Sequence, residues 1–193
     1  MPPYEHLRLW RPFGVGRGTP LAVQEMASIF SFKCSCCGEI HEGAPSFGCR
    51  APDPYLEQSD EVQKAGELGS DLCWYEDEDG MHYFIRVCLE IPIIGFSEPF
   101  VWGVWVSLSK ENFDRYVETY DAPDESDCYF GWFCNYLPYY EKTYSLKTDV
   151  HPRTGGIRPC IVLEEVDHPL SIDFRQGITV EKAQKIAEEV MHR

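Results

Sequence analysis

The stretch Cys34-Ser35-Cys36-Cys37-Gly38-Glu39-Ile40-His41 concentrates the side chains best able to bind a metal. Cys34 and Cys37 are spaced C-x-x-C and followed by a glycine. A tight turn after the first thiolate brings both sulfurs to one ion, and Gly38 supplies the backbone angles such a turn needs. His41, four residues past Cys37, is in reach of the same ion. Tetrahedral zinc takes four ligands, at about 2.3 Å for sulfur and about 2.0–2.1 Å for nitrogen. Local spacing does not give the fourth. Cys73 is the expected fourth ligand, because it sits in a strand able to pack beside the turn, and Cys49 is the reserve. A cysteine-rich set makes zinc a weak Lewis acid, so the expected role is structural: fastening the N-terminal strand to a sheet. Two other readings stay open. The thiols are a redox pair, although the βαβ context of thioredoxin-like motifs is absent. Or they are small buried apolar groups.

Three further groups have reactive or binding character. Asp167-His168-Pro169 offers a histidine with an adjacent acid, suited to a general base or a metal ligand. The following proline favours a turn histidine instead. Arg86 lies on the polar face of a strand with His82 and Glu90. It suits an anionic ligand, but pairing with a carboxylate in the sheet is the favoured reading. Tyr129, Phe130, Trp132, Trp102 and Trp105 would line an aromatic pocket, although strand aromatics are more often core. No nucleophile elbow, P-loop or dinucleotide fingerprint occurs. Gly14-Val15-Gly16-Arg17-Gly18 fits no phosphate-binding pattern and follows no strand.

The elements that must position these groups are mostly strands. Ile29 to Phe32 leads into the cysteine cluster. Asp71 to Tyr75, the turn Asp77-Glu78-Asp79-Gly80 and the long alternating run Met81 to Ile93 read as a hairpin. Phe100 to Leu108 follows, apolar on one face and carrying Trp105 on the other, so both sides are expected to be covered. Tyr129 to Leu137, Tyr144 to Val150 and Arg158 to Glu164 are further strands. Ser59, Ser109 and Thr179 are expected N-caps of helices running to about Glu67, Tyr120 and the C-terminus. The second carries an apolar stripe of Phe113, Tyr116, Val117 and Tyr120. The third carries Val180, Ala183, Ile186, Ala187 and Val190. Strands in series with few helices predict an α+β domain with a mostly antiparallel sheet, a few flanking helices and a zinc-knuckle-like C-x-x-C turn. Residues 1–25, rich in proline and glycine without a period, read as a flexible extension ahead of one domain over 26–193, with Met26 a plausible true start.

Several stretches resemble the bacterial family called domain of unknown function 2199, from Phe32 to about Ile186. They include Phe32-Lys33-Cys34 through His41, Ala51-Pro52-Asp53-Pro54-Tyr55, Asp71-Leu72-Cys73 and Tyr83-Phe84-Ile85-Arg86. They continue with Phe100 through Ser109, Tyr129-Phe130-Gly131, Leu146-Lys147-Thr148, Arg158-Pro159, Asp167-His168-Pro169-Leu170 and Gly177-Ile178. The resemblance implies a cytosolic bacterial protein. It also implies that Cys34, Cys37, His41 and Cys73 belong together, with Cys36 and Cys49 as local variation. It implies no activity.

The chain's 193 residues carry 17 basic and 32 acidic side chains, a formal charge of −15. That surface repels phosphate backbones and anionic membranes, so neither nucleic acid nor membrane is an expected partner. It suits a basic protein partner. The nine cysteines, with no signal-peptide h-region, fit a reducing cytoplasm. The expected function is a zinc-stabilised binding protein with an acidic surface, of which an immunity protein against a basic toxin is one version. The alternative is an enzyme with a pocket built from His168, Arg86 and the aromatic group.

Overall fold

The computed structural model describes residues 29–124 and 126–192, together with Arg8–Leu9 as a short strand, β1. The remaining strands are β2 (Ser31–Lys33), β3 (Ile40–Glu42), β4 (Ser46–Gly48), β5 (Glu67–Leu68), β6 (Leu72–Asp77), β7 (Gly80–Ile91), β8 (Phe100–Leu108), β9 (Tyr129–Phe133), β10 (Lys147–His151) and β11 (Cys160–Leu163). The helices are α1 (Asp53–Leu56), α2 (Asp60–Ala65), α3 (Lys110–Glu118), α4 (Pro169–Gln176) and α5 (Val180–Met191). The expected extension over residues 1–25 falls outside the described residues, apart from β1, which pairs antiparallel with β4.

The long apolar runs of β7 and β8 form the backbone of the sheet. They pair antiparallel over nine register positions, from Tyr83↔Leu108 to Ile91↔Phe100. β9, β10 and β11 follow in antiparallel order, and β11 returns to β7 in parallel register at Cys160↔Cys88. β7 through β11 therefore close into a five-stranded barrel, with β6 and β5 extending one flank and β4 and β1 the other. The sheet expected to be mostly antiparallel is so, with β4–β8 and β11–β7 as its parallel contacts. Sequence alternation sorts the side chains between the two faces. Val87, Leu89, Val104, Val106, Phe133, Val150, Ile161 and Leu163 are buried inside. Arg86, Cys88 and Glu90 point outward from β7. Gly131 sits where β9 crosses β8 closely: a Cβ there would lie 2.8 Å from the Ser107 carbonyl oxygen.

The outer face is covered by the segment from Cys49 to α2. The Cys49 N–H donates to Gly103 O, and Trp105 Nε1 donates to Cys49 O at 3.2 Å. Asn135 locks this strap: its Oδ1 accepts from Trp105 N, and its Nδ2 donates to Ala51 O at 2.9 Å. Trp102 and Trp105, on opposite faces of β8, are both fully buried. Ser59, Ser109 and Thr179 cap α2, α3 and α5, each accepting a backbone N–H three residues on. On α3, Phe113 and Tyr116 pack into the core, while Val117 remains exposed, as does Tyr120 just past the end of the helix. On α5 the buried face is Ala183, Ile186 and Ala187. No helix among the described residues is long and apolar enough to cross a membrane.

Candidate metal centre

β2 and β3 form a two-stranded antiparallel ribbon, and residues 34–39 turn between them. The Cys34 N–H donates to Glu39 O at 2.8 Å, and Gly38 N–H returns to Cys34 O at 3.0 Å. Gly38 takes φ +77°, a value that a side chain would strain. The ribbon sets His41 opposite Phe32, their rings 5.2 Å apart.

α5 reaches this turn from the far end of the chain. Glu188 accepts from Ser35 N at 2.5 Å and from Ser35 Oγ at 2.7 Å. Gln184 Nε2 donates to Lys33 O at 3.1 Å and to Glu188 at 2.9 Å. These bonds place His192, the residue that ends α5, over the thiols. Cys34 Sγ lies 3.1 Å from His192 Nε2, and Cys37 Sγ lies 3.6 Å from His41 Nε2. One donor atom from each of Cys34, Cys37, His41 and His192 falls within 4.8 Å of all the others.

This donor set fits a tetrahedral ion. Metal–ligand lengths of about 2.3 Å for sulfur and about 2.0 Å for nitrogen imply sulfur–nitrogen edges of about 3.5 Å and sulfur–sulfur edges of about 3.8 Å. The 3.6 Å between Cys37 Sγ and His41 Nε2 matches such an edge, and the 3.1 Å between Cys34 Sγ and His192 Nε2 is somewhat shorter. The two thiols are shifted in opposite directions. Burial pushes the Cys34 thiol up, but hydrogen bonds from the backbones of Cys37 and Cys36 and from the Cys37 and His192 side chains outweigh it, bringing it down to about 7. Cys37 moves up instead: the Glu39 backbone pulls it down, but burial and the adjacent Cys34 charge prevail. The group can hold a metal ion.

Of the residues singled out in the sequence, Cys34, Cys37 and His41 come together, and Cys73 does not join them. Cys73 is sealed in the core on β6 opposite Phe84, and burial pushes its thiol up to about 12. Cys49 is likewise buried, under the strap. The fourth position in the group falls to His192, 158 residues from Cys34, which no local spacing could indicate. A histidine just past the last turn of an amphipathic helix was the available signal, and it is also a common helix end.

The other candidates stay apart. His168 is the N-cap of α4: its Nδ1 accepts from Leu170 N at 3.1 Å and its Nε2 donates to Glu141 O at 2.8 Å. Both ring nitrogens are thus committed to structure. The aromatic group does not converge on one pocket: Trp102 and Trp105 are buried on opposite faces of β8, Tyr129 is buried, and Phe130 and Trp132 are exposed on the other face of β9. Arg86 has no carboxylate within 4.0 Å among the described residues, against the favoured ion-pair reading; Asp71, nearby, pairs with Arg158.

Residues 33–178 match the model of a family described as an uncharacterised protein conserved in bacteria, DUF2199. The chain belongs to that family. No curated protein and no solved structure matches it. The DUF2199 match includes Cys34, Cys37 and His41 and stops before α5, so His192 lies beyond it.

Proposed function

We propose that this DUF2199 protein is a zinc-stabilised cytoplasmic binding protein whose acidic surface meets a protein partner. The observation that carries the metal half is the Cys34, Cys37, His41 and His192 group, with its four donor atoms within 4.8 Å. Two thiolates and two imidazoles are a set that suits zinc among the divalent ions. If bound there, zinc would be held by Cys34, Cys37, His41 and His192 and would supply a cross-link between the ribbon and α5. The chain's own residues do the positioning. Glu188 and Gln184 hold α5 on the ribbon, Gly38 bends the turn, and Phe32 packs against His41. The partner half is supported by the charge of −15, which steers a basic partner at low salt. An immunity-type protein against a basic toxin is one concrete form.

Metal content of the purified protein by plasma mass spectrometry tests the first half. One zinc per chain, lost in Cys34→Ser, is expected, together with a lower melting temperature after chelation. A metal-free protein whose melting is indifferent to chelator would end this reading. Affinity capture at low and high salt tests the second. A basic partner retained at low salt and released at high salt is expected, and failure to capture any basic protein counts against it.

A further inference from the structure

A groove of about 1250 Å³ opens beside the metal centre, lined by Phe32 and His41 of the ribbon and by Ala187 and Met191 of α5. Its floor is the outer face of β4, β8 and β7, where Ser46, Val101 and Glu90 lie in line by the register pairs Ser46↔Val101 and Glu90↔Val101. Tyr120 and Ile157 add apolar side chains to its lining, and both are exposed. Ser46 Oγ is a buried polar atom with no hydrogen-bond partner among the described residues.

The charges along the groove are unequal. Glu42, Asp71, Glu90 and Glu98 line it, against the guanidinium groups of Arg153 and Arg158. Both guanidiniums are engaged: Arg153 Nη1 donates to Glu90 at 2.7 Å, and Arg158 pairs with Asp71. Glu42 and Glu98 are left over. Both are exposed, and neither has an ion pair among the described residues. They lie on the segments that enter the neighbouring parallel strands β4 and β8, which are joined at that end by a bond from Val101 N–H to Pro45 O at 3.0 Å. The unmatched charge of the groove is therefore negative, in keeping with the −15 of the whole chain.

We propose that this groove is where a basic protein partner docks: a peptide segment lays apolar side chains against Val101 and Ile157 and sets a lysine or arginine beside Glu42 and Glu98. The inference rests on the reading of the chain as an acidic binding protein and adds the place and chemistry of the contact. Charge complementarity selects this occupant, since the carboxylates without partners need a cation and both arginines are already engaged. Size and exposure favour a peptide over a small molecule. The volume exceeds the roughly 300–1,000 Å³ usual for small-molecule pockets. Exposed apolar side chains with a charged rim are the ordinary anatomy of a protein contact. The Ser46 hydroxyl gives a passing backbone N–H an acceptor.

Calorimetric titration of the full chain at low salt, with a short peptide of interspersed leucine and lysine, tests it. Saturable binding is expected. Exchanging the peptide's leucines for serine should weaken it about tenfold, and exchanging its lysines for glutamate should abolish it. Glu42→Lys and Glu98→Lys should each weaken the original peptide about three- to tenfold. Glu78→Lys makes the same change of charge in the β6–β7 turn, at the other end of β7 from Glu90, and should stay within about twofold of wild type. Ile157→Ser leaves the charge alone and should weaken the peptide a few-fold; it decides the matter if the two groove glutamate variants do not fold. No peptide binding, equal loss in Glu78→Lys, or octylammonium bound as tightly as the peptide, the mark of a site for a small organic cation, would overturn the assignment. A basic protein captured at low salt and undisturbed by Glu42→Lys and Glu98→Lys would overturn the groove alone and leave the acidic-surface reading standing.

Discussion

Asp53 opens α1 and pins the strap to the barrel. Its carboxylate accepts the Tyr136 N–H at 2.5 Å and Asn135 Nδ2 at 3.2 Å. Burial nevertheless dominates: desolvation raises its pKa from 3.8 to about 6, against the two hydrogen bonds and with help from Glu57. Between those values the folded protein holds a proton that the unfolded chain has released. Stability from this group is therefore complete below about pH 4 and is lost as pH rises through about 6. At 1.36 kcal/mol for each pH unit, the difference is about 3 kcal/mol. Asp53→Asn removes the titration. It can keep the bond from Tyr136 but turns an amide toward Asn135, at a pH-independent cost of about 1 kcal/mol. Urea unfolding of both proteins at steps from pH 4 to 7.5 gives the test. The stability of wild type minus that of Asp53→Asn should fall by about 2.4 kcal/mol over that range, the remainder being lost below pH 4. Histidine and cysteine titrations in the metal group are common to both proteins and cancel. A difference that stays flat, or that grows with pH, would refute the claim that desolvation outweighs the two hydrogen bonds.

Other outcomes follow from other parts of the structure. His192→Ala should lower zinc occupancy and the melting temperature together, while Cys73→Ala should cost about 1 kcal/mol from the core with unchanged metal stoichiometry; mass spectrometry and melting separate the two. Gly131→Ala should cost about 1–3 kcal/mol in urea unfolding, since its methyl group meets the Ser107 carbonyl at 2.8 Å. Tyr140→Phe should cost about 1–2 kcal/mol by the same measurement. It removes a 2.7 Å bond to buried Asp173, whose other partner, Lys182, remains.

Local signals were legible in the residues. The caps at Ser59, Ser109 and Thr179, the Asp77–Gly80 turn and the alternating run of β7 all depend on neighbours within a few positions. So did the C-x-x-C turn and the reach of His41. Closure of the sheet was not legible, because alternation reports that a face is buried and not whether the sheet curls onto itself. The helix α4 was missed because Asp167-His168-Pro169 reads as a turn, whereas proline after an N-cap is compatible with a first helical turn. His192 was missed for a related reason. Its role depends on α5 crossing to the ribbon, a contact made by Glu188 and Gln184 that has no trace in sequence spacing.

The closure of the barrel also sets an order of events. β6, β7 and β8 are joined by short connections and pair over many positions, so they can form early from local chain. The β7–β11 seam is different. It rests on the register pair Cys88↔Cys160 and the bond from Cys88 N–H to Pro159 O at 2.8 Å, and it must bring together strands separated by three others. Loop closure of that length is paid before the seam returns anything. The seam should therefore zip last in folding and part first in native-state opening, so that the Cys88 amide exchanges with solvent ahead of its neighbours Val87 and Leu89.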